Sequence, residues 1–554
     1  MLGAIHSVFD RMERANLTLG AAASLVAAAI LLRSFIEAFA NANNDGQLDG
    51  FLDIFFHYPF WFVGLLLAVM LVVAKETNIP LRTAWTVTAF SSLVVLTPPL
   101  IDLMVYGPFG QTYNFVVSSP LALIIHFVTF LAFTGAIGIG IKTEIALAVL
   151  ASFLYGRYKT GSTLRGFRTA LGVYAAIFAF LAFPTLGALA YGAATGQDVL
   201  QTAVTAHEFY FVQEPAESNY WPRPILAETR EEGSFVGGSV ANHFSVSNSI
   251  LLLLACFVLV AFAYAKARPA AFRAVVRNAR FTRIIHYLLA LAVGVLLATY
   301  AFGSAALPAS LGDALGLLSL ALGFVCAWLF AVAENDEVDT PIDAISNADR
   351  PLVEGSIAPE EWRMQKHLYL FGAVAFGLLA GWFPFLCILV FTVLYHLYSC
   401  PPLRLKRVPV LSSLIVALNA LVAVMAGYFL STRADTLGAF PAFEALGVFL
   451  FVLFAENIKN VKDIEGDRAE GIRTLPALLG SVWGPRFAGA GAALSAFVLP
   501  VFFGLSNETL LLAGAAAALS YFLVTRKPFK ELPVFLLYFV YVALFAFLVS
   551  SGPV

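Results

Sequence analysis

Along the 554 residues, long apolar runs alternate with short polar segments, and most runs are about 18 to 25 residues long, enough to cross a bilayer as a helix. In the first half they fall at about 17–40, 58–74, 84–106 and 121–141, in a run ending near 191, and at 250–265. The stretch 145–155 is too short to span and reads as interfacial or re-entrant. From His286 onward nine spans fit: 286–303, 309–333, 366–383, 384–399, 409–431, 438–456, 484–504, 508–525 and 533–551.

Charge orients this pattern. Arg11 and Arg14 precede the first run, which has no small-residue cleavage site and reads as a retained helix with its N-terminus in the cytoplasm. Lys75, Arg82, Lys142, and later Arg526, Lys527 and Lys530, then fall on the same side. A strongly basic segment, Lys266 to Arg283, separates the two halves. The chain is therefore expected to be an all-α polytopic membrane protein, with an N-terminal multi-helix membrane domain at 1–274 and a second domain at 275–554. Composition agrees: 60% of residues are hydrophobic, 12% are charged and the mean hydropathy is +0.84. A net charge of −2 gives no bulk attraction to nucleic acid. The four cysteines, Cys256, Cys326, Cys387 and Cys400, lie in or beside apolar runs without metal-type spacing and read as small buried hydrophobes.

Two acidic clusters break the apolar pattern. Asn335-Asp336-Glu337-Val338-Asp339-Thr340-Pro341-Ile342-Asp343 follows one long run, and Lys459-Asn460-Val461-Lys462-Asp463-Ile464-Glu465-Gly466-Asp467 follows another. Asp336 and Asp339 are three apart; Asp339 and Asp343, like Asp463 and Asp467, are four apart, so each set shares one face of a helix. Like charges so placed repel unless a positive group binds between them, and magnesium, which prefers oxygen ligands and shares its shell with phosphates, suits the role. Pro341 pushes the residue before it out of the α region, so Asp339 and Asp343 are expected to straddle a helix start.

The first cluster, continuing to Arg350-Pro351-Leu352, resembles the first signature of the UbiA-type intramembrane prenyltransferases. Asp463-x-x-x-Asp467, running on to Gly471-Ile472-Arg473-Thr474-Leu475-Pro476, resembles the second. Tyr398-Ser399-Cys400-Pro401-Pro402-Leu403-Arg404-Leu405-Lys406-Arg407 is similar to the basic loop between them. The likeness covers the last 270 to 280 residues or so and says nothing of the first half. One departure is Asn460, an amide where longer forms of the second motif often carry aspartate.

The resemblance implies a nine-helix intramembrane prenyltransferase bundle that moves a prenyl group from a polyprenyl diphosphate to a lipophilic acceptor and releases pyrophosphate. It further implies that Asp336, Asp339, Asp343, Asp463 and Asp467 hold Mg2+, neutralising the departing pyrophosphate. Arg350, Arg404, Lys406, Lys459, Lys462 and Arg473 are placed in sequence to contact phosphate oxygens, Lys406 and Arg350 foremost. Tyr398, Tyr395 and Phe391 offer aromatic faces to an allylic cation, and Asn335 and Asn419 are candidate substrate contacts. The expected partners are the prenyl diphosphate donor, the acceptor and membrane lipid, with no nucleic acid. The acceptor is either an aromatic or quinone precursor or a glycerol phosphate lipid, and a phosphoribosyl acceptor is also open. The topology puts the site on the cytoplasmic face, in the plasma membrane of a prokaryote.

The competing class is a transporter or channel with an acidic cytoplasmic vestibule, which has no need of Arg-Pro after one cluster and Thr-Leu-Pro after the other. A membrane phosphatidyl-transfer enzyme requires a single compact Asp-Gly…Asp…Asp signature that this sequence lacks. For the N-terminal half three roles stay open: an accessory module, a lipid-handling module or a second enzyme. Its long outer loop, 196–247, carries His207, Glu208 and His243, which read as scattered polar residues rather than a metal site. The turn at Asn41 to Gly50 partly resembles a calcium loop but has Leu52 where a bidentate Glu belongs.

Overall fold

The computed structural model describes residues 2–41, 56–106, 119–132, 137–196, 235–302, 307, 311–432, 436–462, 464–469 and 474–551. Every regular element among them is helical, and 12 helices are long and apolar enough to cross a membrane. The chain is an integral multi-pass membrane protein. The described residues fall into two compact units, one up to Pro269 and one from Ala270.

In the first unit the candidate spans are Tyr58–Thr77, Leu81–Val105, Ile139–Thr160, Thr163–Leu181 and Val246–Ala267, with a shorter apolar helix at Gly20–Ile36. Two expectations are corrected. Residues 145–155 belong to a full 22-residue helix, Ile139–Thr160, because Lys142 and Glu144, which broke the apolar run, sit at its start. The predicted span at 121–141 is instead a nine-residue helix, Pro120–Val128, opened by Ser119, whose hydroxyl accepts from the Ala122 amide. Inside this unit Arg33 is buried, donating to the Val95 carbonyl at 2.8 Å and pairing with Glu144 at 3.3 Å. A cavity of about 650 Å³, walled mostly by apolar side chains, opens beside that pair. The helix Phe235–Ala267 begins inside the region expected to be loop. His207, Glu208 and residues 42–50 lie outside the described residues, as does the side chain of His243.

In the second unit each of the nine predicted spans coincides with a helix: Phe281–Phe302, Leu311–Ser346, Pro359–Ala380, Trp382–Ser399, Leu411–Thr432, Ala442–Ala455, Leu475–Phe503, Asn507–Thr525 and Glu531–Ser551. The first packs closely on the fifth. A Cβ added to Gly294 would lie 2.0 Å from the Val424 carbonyl oxygen, and one on Gly427 would lie 2.1 Å from that of Leu291. Such contact demands glycine on both sides, and in lipid it is close packing rather than hydrophobic exclusion that holds helices together.

The helix that matters most is Leu311–Ser346, 36 residues long and here called the aspartate helix. At 1.5 Å per residue it runs about 54 Å, against a hydrocarbon core of about 30 Å. Its first twenty residues are enough to cross, so the carboxylates fall on later turns. The expectation of a helix start between Asp339 and Asp343 is corrected here, since Pro341 sits inside the continuous helix. Proline removes the amide that would have bonded the Glu337 carbonyl. The Thr340 hydroxyl supplies the missing donor, reaching the carbonyl oxygens of Glu337 at 3.2 Å and Asp336 at 2.8 Å.

Candidate active site

The helical register gathers Asp336, Asp339 and Asp343 on one buried face, and each carboxylate meets a different neighbour. Asp336 accepts from Arg280 Nη2 at 2.6 Å through Oδ1 and from Asn278 Nδ2 at 2.6 Å through Oδ2. Asp339 forms ion pairs with both Arg404 and Lys406. Asp343 accepts from Asn347 Nδ2 at 2.9 Å. Arg350 donates to Asn278 Oδ1 at 2.7 Å, so a single amide bridges the Arg-Pro-Leu segment to the first carboxylate.

The basic loop is positioned by the end of Trp382–Ser399. Lys406 also donates to Asn335 Oδ1 at 3.0 Å, and Ser399 Oγ donates to the same oxygen at 3.3 Å. Burial of the Lys406 ammonium pulls its pKa below the usual 10.5, with Asp339 opposing the shift.

Beside these groups lies a cavity of about 520 Å³. Its polar wall includes Arg280, Asn335, Arg350, Lys406, Lys459 and Lys462, and its aromatic wall Tyr287, Trp328, Tyr395, Tyr398, Phe535 and Tyr538. Tyr287 and Tyr395 share a hydrogen bond, and Trp328 meets Tyr395 at 5.5 Å between ring centroids. Phe391 stands behind them, 4.8 Å from Tyr287 in edge contact. Lys459 pairs with buried Glu456 at 2.5 Å and stands 5.4 Å over the Tyr398 ring. Burial acts to lower the Lys459 pKa, but the Glu456 carboxylate together with Tyr398 and Tyr395 more than offsets it and the net shift is upward. Lys462 pairs with Glu531 at 2.7 Å, and Glu531 also receives Arg283 at 2.7 Å.

The structure therefore draws Asn335, Asp336, Asp339, Asp343, Arg350, Arg404, Lys406, Tyr398, Lys459 and Lys462 into one region. Asn419 is elsewhere: it is fully buried mid-helix, is not on the cavity wall, and neither of its amide atoms has a hydrogen-bond partner. Asp463 and Arg473 lie outside the described residues; Asp467 sits on the short helix Ile464–Ala469, with its side chain outside them. Asn278, Arg280, Tyr287, Trp328 and Glu456 are among the residues that escaped sequence reasoning. Arg280 was legible only as part of the basic segment, and nothing in the sequence marked Asn278.

Asp336, Asp339 and Asp343 offer buried carboxylate oxygens on one helix face, the hard donor type that magnesium prefers, and each is paired in this structure with a protein cation or amide. The family model described as the UbiA prenyltransferase family matches residues 295–531. The digeranylgeranylglyceryl phosphate synthase of Thermococcus kodakarensis is 30% identical over 229 residues, covering 39% of this chain and 79% of that protein. A probable homogentisate phytyltransferase 2 of Oryza sativa subsp. japonica is 31% identical over 195 residues, covering 34% of this chain and 49% of the relative. Among solved structures, a UbiA homologue from Archaeoglobus fulgidus bound to GPP and Mg2+ aligns with a TM-score of 0.39 and 20% identity, over 50% of this chain and 100% of that one. With 79% of a 30%-identical relative covered, the chain belongs to the UbiA prenyltransferase family.

Proposed function

We propose that this prenyltransferase uses magnesium to transfer a prenyl group from a polyprenyl diphosphate to a lipophilic acceptor, a glycerol phosphate lipid or an aromatic quinone precursor. The observation that carries this is the junction of two surfaces. A face of buried carboxylates and cations adjoins a cavity walled by tyrosine, tryptophan and phenylalanine. One half suits a diphosphate and the other suits an apolar chain and the cation it leaves behind.

Asp336, Asp339 and Asp343, with Asp463 and Asp467, would hold the metal. When bound, it supplies positive charge to the departing pyrophosphate. Lys406, Arg404, Arg350, Lys459, Lys462 and Arg473 would bind and orient the phosphate oxygens, with Asn335 holding the Lys406 ammonium in place. The rings of Tyr287, Trp328, Tyr395 and Tyr398 exclude water from the allylic carbon and present their negative faces to the charge that develops there.

The relatives point to both acceptor classes: one is named for a glyceryl phosphate, the other for homogentisate. The full chain in liposomes, given radiolabelled geranylgeranyl diphosphate, should prenylate one of these acceptors and stop when EDTA is added. Undiminished transfer in EDTA would defeat the magnesium reading, and transfer to neither acceptor would defeat the substrate assignment.

We also place the site on the cytoplasmic face of a prokaryotic plasma membrane, and the domain division near residue 275, with the transfer chemistry confined to 275–554. The basic loops favour this orientation. Leu403 is exposed in the loop beside Arg404. A lone cysteine there, in a background without native cysteines, should react with an impermeant thiol reagent in inverted vesicles and not in intact cells.

A further inference from the structure

On the opposite flank of the aspartate helix, three side chains outside the proposed chemistry converge. Glu334, His396 and Cys400 each offer one ligand atom, and these atoms all lie within 4.8 Å of one another. His396 and Cys400 are a turn apart at the end of Trp382–Ser399, where the Cys400 amide bonds the His396 carbonyl at 2.8 Å, so the helical turn itself sets two donors on one face. Glu334 comes from the neighbouring aspartate helix, and its carboxylate already meets His396 Nδ1 at 3.1 Å. Glu334 and Cys400 are buried, while the His396 side chain is 51% exposed and leaves a route in from solvent.

We propose that Glu334, His396 and Cys400 form a binding site for a divalent transition metal of the zinc class. The donor types decide the metal. A thiolate and an imidazole are soft or borderline ligands that magnesium declines and zinc prefers, while the carboxylate is accepted by both. Three protein ligands leave one tetrahedral position for water, as in open zinc sites. Tetrahedral bonds of about 2.0–2.3 Å bring ligand atoms to within roughly 3.8 Å of one another, so the site needs to contract by only about an ångström.

The position gives the site a purpose. Glu334 immediately precedes Asn335 and Asp336, and Cys400 immediately precedes the segment carrying Arg404 and Lys406. A bound metal braces the aspartate helix to the start of the basic loop, just where Lys406 crosses to Asn335 and Asp339. The site is distinct from the magnesium face in its ligands and in its metal, and its detection does not depend on prenyl transfer.

The test uses the full chain in detergent, stripped with EDTA and titrated with Co2+. One equivalent should produce a thiolate-to-cobalt charge-transfer absorption in the near ultraviolet, displaced by Zn2+. Cys400→Ser should abolish the band, His396→Ala should weaken Co2+ affinity at least tenfold, and Asp339→Asn should leave the band intact. Zn2+ should also raise the melting temperature of the parent chain but not that of Cys400→Ser. If Cys400→Ser fails to fold, Glu334→Gln serves in its place, with the same tenfold weakening expected. No band in the parent chain, or a band that survives Cys400→Ser in the folded protein, overturns the proposal.

Discussion

Asn278 donates to Asp336 at 2.6 Å with its nitrogen and accepts from Arg350 at 2.7 Å with its oxygen, so both ends of one amide are engaged. It fixes the orientation of the first carboxylate and holds a candidate phosphate ligand at the same time. Groups that orient a metal ligand in this way are commonly worth 10- to 100-fold in activity or metal affinity. Asn278→Ala should therefore lower kcat/KM by roughly that factor. Because Arg350 and Asp336 share the amide, Asn278→Ala and Arg350→Ala combined should cost less than the sum of the two separately. Additive losses in steady-state kinetics would show that the amide is only packing.

If Lys406 binds the diphosphate as proposed, it should set an alkaline limit to donor binding. Burial holds its pKa below 10.5 in the folded chain, so the proton leaves at a lower pH than from a free lysine, and the charge available to a diphosphate is lost as pH rises through that lowered value. The KM for the prenyl diphosphate should rise on the alkaline side below pH 10.5, while Lys406→Arg, which keeps its proton, should carry the low KM to higher pH. Identical alkaline limbs in the two proteins would remove Lys406 from donor binding.

The carboxylates should be unequal to any substitution that removes charge. Asp336→Asn and Asp339→Asn, and likewise Asp463→Asn and Asp467→Asn, should each lower the rate by at least about 100-fold, near 2.7 kcal/mol of transition-state stabilisation. Chelation should do the same to the parent chain, with activity returning on adding magnesium. A variant within tenfold of the parent would remove that residue from the metal set.

Nine helices of the second unit were legible because each carries an apolar run of membrane length, and hydropathy needs no tertiary context to reveal that. The three aspartates were legible because their spacing is local. Asn278 was not: its role depends on a contact 58 residues away along the chain, with no charge or periodicity to flag it. Arg280 was visible as one of several arginines at a membrane edge, where the orientation rule accounts for any of them. The first unit misled where charge interrupts hydrophobicity. Lys142 and Glu144 made the start of Ile139–Thr160 look like a loop, yet Glu144 is neutralised by Arg33 from a helix far earlier in the chain. Cys400 is the small buried side chain the sequence suggested, and its closeness to His396, one turn back, and to Glu334 on another helix could not be read from spacing.

Pro341 was read as a helix boundary, and the reason it is not one can be tested directly. Proline leaves the Glu337 carbonyl without its helical donor, and the Thr340 hydroxyl takes that place at 3.2 Å while also holding the Asp336 carbonyl at 2.8 Å. Thr340→Val keeps the shape and removes the hydroxyl, leaving the carbonyl to be satisfied by distortion, at about 1–3 kcal/mol. That distortion would fall between Asp339 and Asp343, so the variant should lose activity as well as thermal stability. Pro341→Ala restores the backbone amide and should stand close to the parent in helix continuity. In that background Thr340→Val should cost less than half what it costs alone, because the carbonyl again has a donor. Melting temperatures and kcat/KM of the four proteins close the cycle; an equal penalty for Thr340→Val in both backgrounds would show that the hydroxyl plays no part in carrying the helix through proline.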